Sequence, residues 1–374
     1  MRTKKSAKNR PDPVTEGAVP AEELQGSFPP LDLPIQPPFP PMEAKSVEKI
    51  PAGGNYQYEP KWDGFRCLVF RDGDTVVLQS KAGQPLARYF PELVEEIRNL
   101  AARRFVIDGE IVIERNGELR FDDLLMRIHP AESRIRKLSS ETPATVLAFD
   151  ILVDDEGKAL IGEPLSARRQ ALLKFCAHNS SSALRLSPVT LERAVAERWL
   201  KDLSASGFDG VIAKQTDCSY ASGERTAMQK IKRIRTADCV VGGFRWTSKG
   251  GEVGSLLLGL YDDSGLLQHI GYTSSFKAEE RKELEKILSP YMGGSGFSGN
   301  APGGPSRWST ERTGEWERLE PKLVCEVRYD HFSGGRFRHG TKFLRWRPDK
   351  EPKACTFEQV ERRANVSVAR LFAA

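Results

Sequence analysis

The feature that most limits the fold is a series of short apolar runs, rich in Val, Ile and Phe and set between turn residues, that begins at Tyr56. Arg66 to Phe70, Thr75 to Gln79, Phe105 to Ile113, Thr145 to Leu152 and Gly210 to Lys214 have the length and β-branched content of strands. Helical periodicity falls between them, at Pro91 to Ala102, Ala167 to Cys176 and Leu191 to Ala205. The alternation predicts mixed α and β structure with largely antiparallel sheets. Near Thr236 the texture changes to strand-turn-strand, with Cys239 to Arg245, Gly254 to Tyr261 and Leu266 to Tyr272, then a helix over Ala278 to Leu288. A glycine-rich stretch from Gly293 to Gly304 interrupts this region, Lys322 to Phe332 supplies another strand, and the chain ends in a basic tail. That second pattern suits a small β-barrel. A chain of 374 residues exceeds what one hydrophobic core supports, so two domains are expected. Ahead of them, Pro11 to Pro41 is proline-rich and favours extended polyproline-type backbone, as a tail or a surface wrap.

Composition narrows the function classes. Charged residues make up 29% and hydrophobic residues 39%, the balance of a globular chain, and no apolar run approaches a membrane span. The 56 Lys and Arg against 51 Asp and Glu leave a formal net charge of +5, which suits a phosphate-bearing partner if the cations share one surface. Cys67, Cys176, Cys218, Cys239, Cys325 and Cys355 form no C-x-x-C pair, so they read as buried free thiols. Met1 to Arg10 is basic but is followed by no apolar core or small-residue cleavage site, which argues against a secretory signal and for a cytoplasmic location.

The strongest local signal is Glu59-Pro60-Lys61-Trp62-Asp63-Gly64-Phe65-Arg66. Lysine is a nucleophile only as the neutral amine, so a reactive one needs burial or neighbouring cations. Taken singly, a lysine before Asp-Gly is a turn residue, Asp108-Gly109 a turn pair, Phe149 a core aromatic, and Lys230 to Arg235 a solvated basic strand. Their order is the stronger observation. After Lys61 come Ser80-Lys81-Ala82-Gly83, Asp108-Gly109-Glu110, Ala148-Phe149-Asp150, Asp209-Gly210-Val211-Ile212-Ala213-Lys214 and Lys230-Ile231-Lys232. Independent turns and core residues have no reason to follow one another in this way. The ordered set resembles the nucleotidyltransferase superfamily of DNA ligases, RNA ligases and capping enzymes. Phe343-Leu344-Arg345-Trp346-Arg347-Pro348-Asp349-Lys350 resembles the motif that ATP-dependent DNA ligases carry in their C-terminal barrel. The likeness covers roughly Pro41 to the C-terminus.

The resemblance implies an α+β architecture: a flexible Pro-rich N-terminal tail over 1–41, an adenylation (nucleotidyltransferase) domain with antiparallel sheets over 42–235, and an OB-fold β-barrel with a C-terminal basic tail over 236–374. It implies ATP and magnesium as cofactors, with manganese able to substitute. Lys61 would carry AMP. Phe149 would stack on adenine, with Glu59 accepting from its amine. Arg66 and Glu110 would hold the ribose or neighbouring phosphate, and Glu110 with Asp209 would supply hard oxygen ligands to the metal. Lys214, Lys230 and Lys232 would surround the α-phosphate and lower the Lys61 pKa. Arg345, Arg347, Asp349 and Lys350 would engage the departing pyrophosphate, with the second domain closing over ATP for that step. Two positions depart from the usual pattern: Asp209 stands where many members carry glutamate, and Lys81 where the ligases usually carry arginine toward the DNA 5′-phosphate.

Within the superfamily, the lack of a four-cysteine module and of a long C-terminal extension disfavours the NAD-dependent DNA ligases. Trp62 and the C-terminal motif point away from the GTP-using capping enzymes. Tyr58 to Arg71, Arg88 to Leu93 and the C-terminal motif resemble the stand-alone ligase C group and the ligase domain of bacterial end-joining enzymes. The implied partners are nicked or broken duplex DNA and a Ku-type end-binding protein, with the chain acting as a monomer away from membranes. Two alternatives are a non-catalytic DNA-binding scaffold, against which the intact catalytic charges argue, and an RNA ligase using the same lysyl-AMP chemistry.

Overall fold

The structure is a computed structural model that describes residues 28–179, 181–202, 208–233, 235–247, 250–303 and 315–360. By contact the chain divides into a first unit of Met1–Lys45, Pro51–Leu191 and Ile212–Gln229, and a second of Ser46–Ile50, Glu192–Val211 and Lys230–Ala374.

From Lys45 to Lys232 the strands are β1 (Lys45–Val47), β2 (Tyr56–Trp62), β3 (Phe65–Asp72), β4 (Thr75–Ser80), β5 (Arg104–Val112), β6 (Glu114–Arg115), β7 (Glu118–Leu119), β8 (Thr145–Val153), β9 (Leu184–Leu186), β10 (Phe208–Gln215) and β11 (Met228–Lys232). The helices are α1 (Pro91–Arg98), α2 (Phe121–Arg127), α3 (Glu132–Glu141), α4 (Leu165–His178) and α5 (Arg193–Asp202). A five-stranded sheet runs β4-β3-β5-β8-β9, antiparallel except for β8 with β9, and a four-stranded sheet runs β1-β11-β10-β2. Side-chain alternation gives the larger sheet two apolar faces. Cys67, Val69, Ile107, Val146, Ala148 and Ile151 pack toward Leu93 and Ile97 of α1 and Leu172 and Phe175 of α4. Leu68, Phe70, Val106 and Leu152 pack in a separate cluster with Leu31, Leu33, Ile35 and Met42.

That second cluster decides the fate of the proline-rich segment. Its described part is a wrap and not the flexible tail expected for 1–41, because its apolar side chains leave water for the open sheet face; residues 1–27 lie outside the described set. One other expectation shifts. Helix α1 stops at Arg98, short of Ala102, where the buried Arg71 guanidinium donates to the carbonyls of Ile97 at 2.7 Å, Leu100 at 2.8 Å and Arg98 at 2.7 Å. Arg71 thus satisfies carbonyls that a terminating helix leaves open. The strand expected over Phe105 to Ile113 is β5, with Asp108-Gly109 in its middle. The helix expected over Leu191 to Ala205 is α5, with 203–205 outside the described residues.

The remaining strands are β12 (Arg235–Trp246), β13 (Val253–Tyr261), β14 (Leu267–Thr273), β15 (Glu317–Arg318), β16 (Val324–Tyr329), β17 (Phe332–Ser333), β18 (Arg336–Phe337) and β19 (Lys342–Trp346), with helix α6 (Ala278–Leu288). They form an antiparallel sheet ordered β14-β13-β12-β16-β19, with β15 also beside β12, around a core that includes Val240, Phe244, Leu256, Leu258, Leu288 and Val327. The expected barrel is not closed among the described residues. The end of β14 and the residue before β19 meet at the isolated bridge Thr273–Thr341, supported by a Thr273 Oγ1 hydrogen bond to the Thr341 carbonyl at 2.9 Å. The basic tail from residue 361 onward lies outside the described set. No helix of the described residues is long and apolar enough to cross a membrane.

Candidate active site

Lys61 lies near the end of β2, an edge strand of its sheet, which is where Pro60, lacking an N–H, can be accommodated. The strand end is anchored by buried Trp62, whose Nε1 donates to Ser187 Oγ at 2.9 Å. The turn into β3 needs Gly64, since a Cβ there would stand 2.2 Å from the Ile111 carbonyl oxygen. Two residues before Lys61, and on the same face of the strand, Glu59 is almost fully buried. Its Oε1 accepts from Gln57 Nε2 at 2.8 Å, and its Oε2 pairs with Lys214 Nζ at 2.9 Å. The Lys214 ammonium lies 4.4 Å from the Phe149 ring centroid and the Arg66 guanidinium 5.0 Å from it.

Strand register assembles the rest. Arg66 sits opposite Glu110 and Leu68 opposite Asp108, so Arg66, Asp108 and Glu110 share one face of the sheet. On β8 the register slips by one residue: Asp150 faces Asp108 while Ala148 faces Gly109, leaving Phe149 as an extra residue between them. This bulge turns Phe149 and Asp150 together away from the face into which Ala148 and Ile151 pack. Gly109 permits the close approach, because a Cβ there would lie 2.8 Å from Val146 Cγ1 and 2.9 Å from the Leu147 oxygen.

Beneath the ring, Arg66 forks onto the fully buried Asp108, Nε to Oδ1 at 2.8 Å and Nη2 to Oδ2 at 2.6 Å. The Tyr220 hydroxyl donates to the same Oδ2 at 2.6 Å. A second buried pair joins Arg168 to Asp150 at 2.8 and 2.9 Å. Burial disfavours the charge on Arg66, but Asp108 more than offsets it and raises the guanidinium pKa. Burial pushes the Glu110 carboxyl up to about 7 against the opposing pull of Lys61 and then Arg66. Lys61 is therefore near enough to Glu110 to act on its charge.

In the second unit, Lys232 Nζ pairs with Asp209 Oδ2 at 3.1 Å, and Lys230 lies two residues before Lys232 on β11. Gly210, at φ 149°, is required because a Cβ would stand 2.0 Å from the Ile231 oxygen. Arg347 donates to Asp238 Oδ1 at 2.8 Å and to Asp349 at 2.8 to 3.2 Å, Lys350 approaches Asp238 at 3.9 Å, and Arg345 binds Glu326 at 2.7 Å.

The structure thus gathers Glu59, Lys61, Arg66, Glu110, Phe149 and Lys214 in the first unit, pairs Asp209 with Lys232, and groups Arg347, Asp349 and Lys350 at Asp238. Lys81 is held elsewhere, half-exposed and 3.8 Å from Glu43. Glu59 accepts from Gln57 on one oxygen and pairs with Lys214 on the other, and each oxygen keeps a lone pair for a further donor. Sequence reading missed Asp108, Tyr220, Asp238 and Glu326 as partners of site residues. Asp108 stands inside the Asp-Gly-Glu signal, whereas Tyr220 carries no local signal.

Chemically, an aromatic ring flanked by cations and a buried acceptor suits a flat heterocycle bearing phosphates, with a lysine amine nearby as nucleophile. Among the described residues no three His, Cys, Asp or Glu gather to hold a metal unaided.

Comparison with known proteins agrees with this chemistry. Residues 41–232 match the ATP dependent DNA ligase domain, and residues 249–350 match the ATP dependent DNA ligase C terminal region. DNA ligase C1 of Mycolicibacterium smegmatis is 46% identical over 341 residues, covering 88% of this chain and 96% of its own length. The multifunctional non-homologous end joining protein LigD of Mycobacterium bovis is 32% identical over 305 residues, 79% of this chain and 37% of its own. A solved structure from work on DNA binding by Lig E DNA ligases covers 82% of this chain and 99% of its own at TM-score 0.51 and 18% identity, a likeness of fold.

Proposed function

The chain belongs to the ATP-dependent DNA ligase family, and on that premise we propose that Lys61 carries AMP while the protein seals breaks in duplex DNA. The Lys61 amine attacks the α-phosphate of ATP and pyrophosphate leaves; AMP then passes to a DNA 5′-phosphate; the 3′-hydroxyl displaces AMP and closes the strand. The observation that carries this reading is the convergence of Glu59, Lys214, Arg66 and Phe149 from four strands on the face of β2 that bears Lys61. In it Phe149 stacks on adenine, Glu59 reads the amine, and Arg66 holds the ribose or adjacent phosphate.

Lys214, Lys230 and Lys232 take the α-phosphate, Lys81 takes the DNA 5′-phosphate, and Arg345, Arg347, Asp349 and Lys350 serve the departing pyrophosphate. Glu110 and Asp209 would supply oxygen ligands to magnesium, which would neutralise phosphate charge when bound; manganese has the same preference for oxygen ligands. The reading divides the chain into the Pro-rich segment up to 41, an adenylation domain over 42–235 and an OB-fold domain over 236–374. It includes action in break repair by a monomer with a Ku-type end-binding partner, supported by the end-joining name of the LigD relative. Binding to duplex DNA is sequence-independent and weakens steeply with salt.

The test is to strip the protein with pyrophosphate, incubate it with magnesium and α-labelled ATP, with GTP and NAD in parallel, and look for label on denatured protein. Label from ATP alone, lost in Lys61→Ala, is the expected result. No label on the unaltered protein, or undiminished label in the variant, overturns the assignment.

A further inference from the structure

Tyr220 and the Pro-rich segment ending near Glu43 take no part in these three steps, yet they meet at the carboxylate that holds Arg66. The buried Tyr220 hydroxyl donates to Asp108 Oδ2 at 2.6 Å and accepts from the backbone N–H of Met42 at 3.0 Å. Its ring stacks on Phe39 with centroids 6.4 Å apart and lies 5.5 Å from the Arg168 guanidinium. Burial, and then the Asp108 charge, push the phenol well above its ordinary pKa, so it stays a donor across the working range.

The fork makes carboxylate and guanidinium coplanar, but the broad terminal torsion of the carboxylate leaves the joined pair free to rock together. The third hydrogen bond, from Tyr220 to one oxygen only, removes that freedom. Packing alone does not ask for it, since phenylalanine would fill the same apolar cluster beside Phe39, Leu31 and Leu33. What the hydroxyl adds is a link from the N-terminal segment through Met42 to Asp108, and so to the guanidinium that faces Phe149.

We propose that Tyr220, fixed by the N-terminal segment through Met42, is a positioning residue that sets Arg66 beside Phe149 and thereby sets the affinity of the adenylation step for ATP. This rests on the reading that Lys61 takes AMP from ATP next to Arg66.

Self-adenylation of the full chain is measured over a range of ATP concentrations, together with thermal melting, for the unaltered protein, Tyr220→Phe and Ile97→Val. The last is a core trim in α1 that shares no partner with the network. Tyr220→Phe should raise KM for ATP about tenfold while kcat stays within about twofold, the signature of lost binding common to ground and transition states. Ile97→Val should leave KM unmoved. A third variant, Phe39→Leu, loosens the segment but keeps the hydroxyl and should raise KM about threefold. An unmoved KM in Tyr220→Phe overturns the proposal, as does an equal rise in Ile97→Val. If Tyr220→Phe does not fold, an unmoved KM in Phe39→Leu overturns it. Failure of the underlying reading is visible separately, as unaltered protein that takes no label from ATP.

Discussion

Two sets of cations in this chain are assigned to one nucleotide and are held in opposite ways. In the first unit Lys214 and Glu59 are 2% and 3% exposed, and Arg66 rests on an Asp108 that is wholly buried. In the second, Arg345 is 64% and Lys350 34% exposed, while Arg347 is 19% exposed beside an Asp238 that is 12% exposed. Here Asp238 and Glu326 face each other across β12 and β16, with Arg345 next in the row on β19. Two carboxylates so placed repel, and Arg345, Arg347 and Lys350 compensate them. A desolvated pair fixes geometry, and breaking it leaves a bare charge in the interior. An exposed pair contributes little and can exchange its carboxylate for a phosphate at small cost. The difference matches the proposed roles: a pocket that keeps AMP in place through three steps, and a strip that meets pyrophosphate only until it leaves.

The sharpest way to break this comparison is Asp108→Ala, which strands Arg66 and the Tyr220 hydroxyl. It should destabilise the fold by about 3–5 kcal/mol in urea unfolding, and a loss below about 1 kcal/mol would erase the distinction between the regions. Next, Arg345→Ala, which removes the 64% exposed cation of the strip, should cost less than about 1 kcal/mol in the same assay. Self-adenylation at fixed ATP should nevertheless fall by about tenfold or more. A stability loss rivalling that of Asp108→Ala would place both sets in one class.

The smallest expected effect concerns Glu110, whose carboxyl burial lifts from its ordinary 4.5 to about 7. A raised folded pKa means that the contribution of Glu110 to stability is complete below 4.5 and is lost as pH climbs through about 7. In metal-free protein Glu110→Gln should therefore gain about 1 kcal/mol near pH 8 and almost nothing near pH 4.5, after allowing for the part of its side chain that water still reaches. Adenylation should be lost throughout. An equal gain at both pH values would show that Glu110 does not ionise in a desolvated place.

Much of the fold was legible because strand formation is local. Alternation and β-branched content located β3, β4, β5 and β8 to within a residue or two, and the strand-turn-strand run located β12, β13 and β14. The candidate site was legible as an ordered set of motifs, since Lys61, Phe149, Glu110 and Lys214 carry their signals within a few residues of themselves. The N-terminal wrap was not. Proline content predicts extended backbone, but whether Leu31, Leu33 and Ile35 leave water depends on a sheet face built later in the chain. The bulge that turns Phe149 and Asp150 to one side depends on how β8 meets β5, which no property of the Ala148-Phe149-Asp150 segment reveals.

By itself the sequence determined the strands and the family, because backbone preference and motif order are written over short spans. Only the tertiary structure decided the partners: Asp108 with Tyr220 across 112 positions, and Asp238 with Arg347 across 109. Ion pairs and hydrogen bonds are matters of ångströms in space, and residues so far apart in the chain come within reach only when sheets and loops have packed.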